Sequence, residues 1–187
     1  GVIALTVGVD ALVDAFNECD EEFDLDITNI VGAQGCSNVT INTGSDAATI
    51  LANDAAQIDI SGPAAAAEGT RFVFDVTLSA ESEQDISVDW STADIEALAG
   101  LDYTAVGATT ITFIAGTTGL TVGVESTDDL INECDEQFQV DLTNPIGVGC
   151  ANATINTGTA AATILENDAV QIDISGPAAA DEGTRFV

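Results

Sequence analysis

The sequence predicts an all-β protein, a two-sheet antiparallel sandwich built in tandem repeats. Three observations carry that expectation. Apolar and polar residues alternate over short runs, Gly, Asn, Asp and Pro punctuate the runs, and long blocks return almost unchanged after 114 residues.

The strands can be taken in chain order. QIDIS at 57–61 opens a unit. Phe72, Phe74, Val76 and Leu78 then alternate with Val73, Asp75, Thr77 and Ser79, and Ile86, Val88 and Trp90 alternate with Ser87, Asp89 and Ser91. TTITF (109–113), LTVGV (120–124), FQVDLT (138–143) and TAAATIL (159–165) complete the set. Seven short strands within one repeat, parted by turn residues, suit a sandwich whose two sheets share one core. The stretches at 93–100 and 11–18 have helix-like composition but are too short to stand alone, and they are read as loops with room for a helical turn.

The repeat defines the domain organisation. QIDISGPAAAAEGTRFV at 57–73 returns at 171–187, with Asp181 in place of Ala67 as the one difference. GCSNVTINTGSDAATILANDA at 35–55 returns as GCANATINTGTAAATILENDA at 149–169. NECDE at 17–21 returns at 132–136, offset by 115, so a one-residue length change falls between Asn29 and Cys36. Residues 1–55 therefore read as the C-terminal half of one unit, 56–169 as a complete unit, and 170–187 as the first strands of a third. The chain is expected to be a window on a longer array.

Composition limits the partners. The chain has 32 acidic residues against two arginines, with no lysine or histidine, for a net charge of −30. Such a field repels nucleic acid and anionic membrane surfaces and attracts cations. With 46% hydrophobic residues the chain can bury a core, unlike a disordered acidic tail. No apolar run approaches the roughly 18 residues of a membrane helix, so no membrane insertion is expected here. Gly1 opens no signal peptide, and any export signal is expected outside these residues. An enzyme is disfavoured, because the usual general bases and Schiff-base nucleophiles are missing. Paired carboxylates of glycosidase type remain open, yet Trp90 and Tyr103 are the sole Trp and Tyr and are read as packing residues rather than a sugar platform.

Four cysteines without metal-type spacing point to disulfides, against the alternative of buried free thiols, and so to an oxidising, extracellular setting. Two sequons, Asn38-Val39-Thr40 and Asn152-Ala153-Thr154, agree with export and sit two residues after a cysteine at the same point of the repeat. Asn38 and Asn152 are expected in an exposed loop, carrying sugar.

Four segments resemble the Calx-beta domain: Glu68-Gly69-Thr70, the run from Ala99 to Tyr103, the acidic run from Asp128 through Glu136 to Phe138, and Ile164-Leu165-Glu166-Asn167-Asp168. The resemblance covers residues 57–168 and implies the immunoglobulin-like sandwich of sodium/calcium exchanger regulatory loops and of tandem extracellular adhesion arrays. It also implies Ca²⁺ ligands at Glu68, Asp102, Glu133, Glu136 and Asp168, with Asp128, Asp129 and Glu166 toward a second ion. In the first half-unit the matching residues are Glu18, Glu21 and Asp54, with Asp10 and Asp14 weaker, and Glu182 opens a third site. The sequence departs from the family pattern at Cys134, where glycine or an acid is usual, and at Asn167, where the pattern has Asp.

In such a sandwich these carboxylates gather at one end, where they repel one another. A hard cation taking six to eight oxygens relieves that repulsion, and Ca²⁺ tolerates irregular loop geometry better than Mg²⁺. The competing reading is general acidity of the salt-adapted kind, against which the clustering in loops argues. Gln139, Asp141, Asp24 and Asp26 fall on outward strand faces and are read as solvated surface.

The same geometry bears on the cysteines. Cys134 precedes a strand and Cys150 follows it, so the two lie at opposite ends, while a disulfide needs Cα atoms within about 7 Å. Across a junction, Cys19 of the first unit meets Cys150 of the second, and Cys134 and Cys36 are left for neighbouring units or other chains. An intradomain bond across a folded-back loop remains the alternative. The expected function is structural or adhesive: an extracellular, calcium-rigidified stalk or filament whose partners are neighbouring repeats and identical chains. A calcium-sensing regulatory module, or the spacer of a ligand-binding adhesin, are the alternatives.

Overall fold

Alternating side chains drive the central strands to bury one face each. A computed structural model describes residues 4–30, 40–176, 179, 181–183 and 185. Among them run β1 (Glu21–Asp26), β2 (Ser45–Ile50), β3 (Ala56–Ser61), β4 (Ala65–Ala67), β5 (Arg71–Leu78) and β6 (Ile86–Asp94). β7 (Thr109–Phe113), β8 (Gly119–Glu125), β9 (Glu136–Gly147), β10 (Ala153–Thr157) and β11 (Thr159–Leu165) follow. Phe72, Phe74, Val76 and Leu78 of β5 are buried while their neighbours face water, the period-two pattern read from the sequence.

β3 to β11 form the sandwich. One sheet has the order β10-β3-β5-β8 and the other β4-β11-β9-β6-β7. Their inner faces meet in a core that includes Ile58, Phe72, Phe74, Val88, Phe113, Val124, Phe138 and Val140. Phe138 is its hub, edge-on to Phe72 at 5.3 Å and stacked on Tyr103 at 4.8 Å between ring centroids. Trp90 and Tyr103 are both buried in this core. The Tyr103 hydroxyl donates to Asp94 at 2.5 Å, and burial with that carboxylate pushes its pKa up to about 12.

The purely antiparallel expectation needs correction. β10 pairs with β3 in parallel, and β11 with β4 likewise, while the other pairings are antiparallel. The cause is a double sheet switch. The chain leaves β3 through Gly62 and Pro63 and crosses to the other sheet as β4; β10 crosses at Gly158 to become β11. A Cβ at Gly62 would stand 2.2 Å from the Phe74 ring, so glycine alone lets the backbone pass that close. First and last strands thus run the same way, and the chain enters the sandwich at one pole near Ala56 and leaves at the other near Leu165. The tri-alanine β4 carries little strand propensity, and β10 takes in Ala153 and Thr154 of the sequon, which was read as loop, so neither was expected from the pattern.

β1 and β2 form a separate antiparallel ribbon in which Glu21 faces Ile50, the same register that sets Glu136 opposite Ile164 in β9 and β11. Both ribbon strands are largely exposed, and among the described residues no second sheet covers them. Asn29 and Asn144, which follow β1 and sit within β9 at equivalent places, both adopt positive φ, 54° and 52°. No helix forms among the described residues. The stretch at 93–100 ends β6 and continues through bends that bury Ala97, and 11–18 forms neither helix nor strand, with an isolated bridge from Asn17 to Ser82.

Candidate metal centre

Four connections converge at the C-terminal pole. The turn between β4 and β5 supplies Glu68, with Gly69 at φ 71° packed under the Asp128 side chain. The segment after β6 supplies Asp102, the loop between β8 and β9 supplies Asp129, Glu133, Cys134 and Asp135, and β9 opens with Glu136. The exit of β11 supplies Glu166 and Asp168. Backbone bonds tie these pieces together: Gly69 N–H donates to Thr127 O at 3.1 Å, Thr127 N–H to Asp102 O at 2.8 Å, and Glu68 N–H to Leu165 O at 3.2 Å.

The carboxylates form two groups on one cavity. Oxygens of Glu68, Glu166 and Asp168 lie within 4.8 Å of one another, and so do those of Asp102, Glu133 and Glu136. Glu68, Asp102, Asp129, Glu133, Glu136 and Glu166 all line the cavity. Asp128 is exposed and faces Gly69 instead. Glu68 Oε1 and Asp168 Oδ2 are buried with no hydrogen-bond partner, a costly state for carboxylate oxygens.

The electrostatics follow from this crowding. Burial, contact with Asp168 and the charges of Glu166 and Asp129 push Glu68 from 4.5 to about 7. Burial and the neighbouring Asp102 raise Glu133, and burial with contact to Asp102 raises Glu136. Glu166 moves the other way, because backbone N–H groups of Asp168 and Glu133 donate to it. Glu166 N–H in turn donates to Asp135 at 3.0 Å, so Asp135 braces the exit strand, a role its sequence position among other acids did not single out.

The N-terminal segment assembles differently. Glu18 and Glu21 gather with Glu83, which comes from the loop between β5 and β6 of the sandwich. Asp10, Asp14 and Asp54 line the groove beside Glu18 and Glu21. Burial first, then Asp14, Glu21 and Glu83, raises Glu18. Glu83 was not expected, since nothing in its own segment marks it; only the approach of the N-terminal segment brings it near Glu18 and Glu21. Glu182 is exposed in a turn, outside every acidic group found among the described residues.

Cys19 and Cys150 form a disulfide with Cα atoms 5.3 Å apart, as the junction geometry expects, and such a bond suits an oxidising compartment. Cys134 is exposed and free, at the opposite end of β9 from Cys150. Asn152 lies exposed just before β10. Cys36 and Asn38 fall outside the described residues.

A two-sheet sandwich with carboxylates clustered at one pole defines the class of protein. Residues 53–168, more than half the chain, match the Calx-beta domain family, and the chain belongs to that family. Among solved structures, CBD12 from CALX1.2 is similar at 25% identity and a TM-score of 0.54, over 60% of this chain and 46% of that one. The apo-form Calx CBD1 domain is similar at 25% identity and 0.51, over 59% of this chain and 98% of that one. A structure described as the calcium binding domain CBD12 of CALX1.1 shares the fold at 24% identity and 0.51, over 58% of this chain and 46% of that one. The chain thus spans about half the length of the CBD12 structures it matches. Comparison with curated proteins finds no match.

Proposed function

We propose that the chain is a calcium-binding sandwich from an extracellular tandem array, working as a stalk or filament whose junctions calcium stiffens. The orphaned oxygens of Glu68 and Asp168 carry this reading. Two buried carboxylate atoms without a donor, in a chain of net charge −30, call for a cation, and the two side-chain groups that gather around the cavity offer carboxylate oxygens alone, with the Cys134 thiol on the same wall but outside both groups. Glu68, Glu166 and Asp168 would hold one ion, and Asp102, Glu133 and Glu136 another, with Asp129 between them; the ions supply positive charge that lets like-charged loops pack. Each of these sets offers carboxylate oxygens only, which fits Ca²⁺.

The stalk reading draws on the repeated sequence blocks and on strand direction. Parallel first and last strands set the incoming and outgoing chain at opposite poles, the arrangement that lets units stack end to end, each touching mainly its neighbours. The Cys19–Cys150 disulfide supports an extracellular setting. In this reading the neighbouring repeats, and identical chains alongside, are the partners.

Millimolar Ca²⁺ should raise the melting temperature of the chain, while NaCl at equal ionic strength should not. Glu133→Ala with Glu136→Ala takes away two of the three carboxylates of one ion and should reduce the difference. An equal response to both salts would mean general screening and would end the calcium reading.

A further inference from the structure

Among the described residues of the N-terminal segment, Asn17 is the most deeply buried polar side chain, at 2% exposure, and its side-chain partners include Ser82 and Asn152 of the sandwich. Its Nδ2 donates to Asp54 O at 2.6 Å and to Asn152 O at 3.1 Å. Its Oδ1 accepts from Ser82 Oγ at 3.1 Å and from Asn152 N–H at 3.4 Å. The backbone joins in, with Asn17 N–H donating to Glu81 O and Glu83 N–H donating to Asn17 O, both at 3.0 Å. Two residues on, Cys19 is bonded to Cys150. One short segment, Asn17-Glu18-Cys19, thus clamps the loop between β5 and β6 and the loop between β9 and β10.

The chain carries the same segment again as Asn132-Glu133-Cys134. Its local geometry is already the docked one. Asn132 Nδ2 donates to Asp168 O at 2.5 Å, repeating the bond from Asn17 to Asp54, since Asp168 and Asp54 are equivalent in the repeat. The rest of the clamp is open: Asn132 and Cys134 are exposed and the thiol is free. Residues 171–187 meanwhile repeat the opening of the complete unit almost letter for letter.

We infer that the exposed Asn132–Cys134 segment is a docking surface for the N-terminal pole of a following unit of the same kind, with Asn132 as a buried polar key and Cys134 as the covalent bolt. This rests on the tandem-array reading and adds the recognition chemistry. The partner must present a serine and a glutamate in its β5–β6 loop and a cysteine two residues before an asparagine, as Ser82, Glu83, Cys150 and Asn152 do. Closing the bolt oxidises two thiols to one disulfide with loss of two protons and two electrons to a disulfide oxidant such as oxidised glutathione. The asparagine gives the contact its specificity, because a side chain unable to both donate and accept leaves buried carbonyls and an amide unmatched.

The test extends the full chain after Val187 by a copy of residues 74–169, which completes the third unit, with Thr154 of the appended copy changed to serine as a mass tag and Cys36→Ser throughout. Non-reducing peptide mapping should find Cys134 linked to the appended copy of Cys150. Asn132→Ala should lower the equilibrium constant for that bond against glutathione by about tenfold or more, the factor of one hydrogen bond of ordinary net strength. Cys134 left free, or linked to Cys134 of another chain, overturns the proposal, as does an equilibrium that ignores Asn132→Ala. Should the extended chain not fold, the chain itself decides: Asn17→Ala should shift the Cys19–Cys150 equilibrium by a similar factor, and no shift overturns the key. Calcium-dependent melting read on the same samples separates the two readings, since loss of the bolt with the calcium response intact removes the docking surface alone.

Discussion

Replacing Glu68 by glutamine should stabilise the calcium-free chain at pH 8 and remove most of the gain that calcium brings. Glu68 Oε1 is buried without a donor, and Glu166, Asp168 and Asp129 surround the carboxylate with like charge, holding its pKa near 7 in the fold against 4.5 as the ordinary value. A folded pKa above the unfolded one gives stability that is complete below about 4.5 and lost as the pH rises through about 7. At pH 8 the ionised group therefore opposes folding. A displacement of this size converts to about 3 kcal/mol as an upper bound, and screening in a cavity open to water leaves about 1 kcal/mol. For a sandwich of this length that is a rise of roughly 3–6 °C in Tm. Calorimetry in a chelator and in millimolar CaCl₂ reads both effects, with Asp75→Asn on the exposed face of β5 as the control for net charge. Equal rises in the two variants would mean that total charge, not the cavity, governs stability. A Glu68→Gln variant that kept the full calcium gain would refute the role of its carboxylate.

Three further outcomes follow from the same geometry. The calcium-induced rise in Tm should shrink as pH falls from about 7 toward 4.5, as a proton occupies Glu68, and the raised Glu133 and Glu136 should add to the loss, while loss of the depressed Glu166 ionisation should weaken the fold only below about 4.5; calorimetry across that range checks both limbs. Phe138→Ala removes the ring that touches Phe72, Phe74 and Tyr103 and should cost about 3–5 kcal/mol in chemical denaturation. Expressed in a glycosylating host, the chain should carry sugar on the exposed Asn152, and intact mass before and after enzymatic deglycosylation reads this directly; a bare Asn152 would reject the site.

The sandwich was legible from local pattern because strands that bury one face must alternate, and the β5 and β6 residues that alternate are those that are buried. The carboxylates of the C-terminal pole were legible through their motifs, and the structure gathers Glu68, Asp102, Glu133, Glu136, Glu166 and Asp168 from four separated segments. Where side chains alone do not specify pairing, the sequence was silent. The parallel strands β4 and β10 are held by backbone bonds to β11 and β3, and alanines and small polar residues write no period that would announce them. Glu83 is an ordinary loop acid until the N-terminal segment brings Glu18 and Glu21 beside it, and nothing in the NECDE motif marks Asn17 as the residue that Ser82 and Asn152 close over. Sequence pattern alone marked the alternating strands, the core residues they carry and the loops that hold charge, because these depend on composition along the chain. Only the tertiary structure decided which carboxylate oxygens are left without a donor, which strands run parallel and which asparagine is buried, because each depends on atoms brought together from distant parts of the chain.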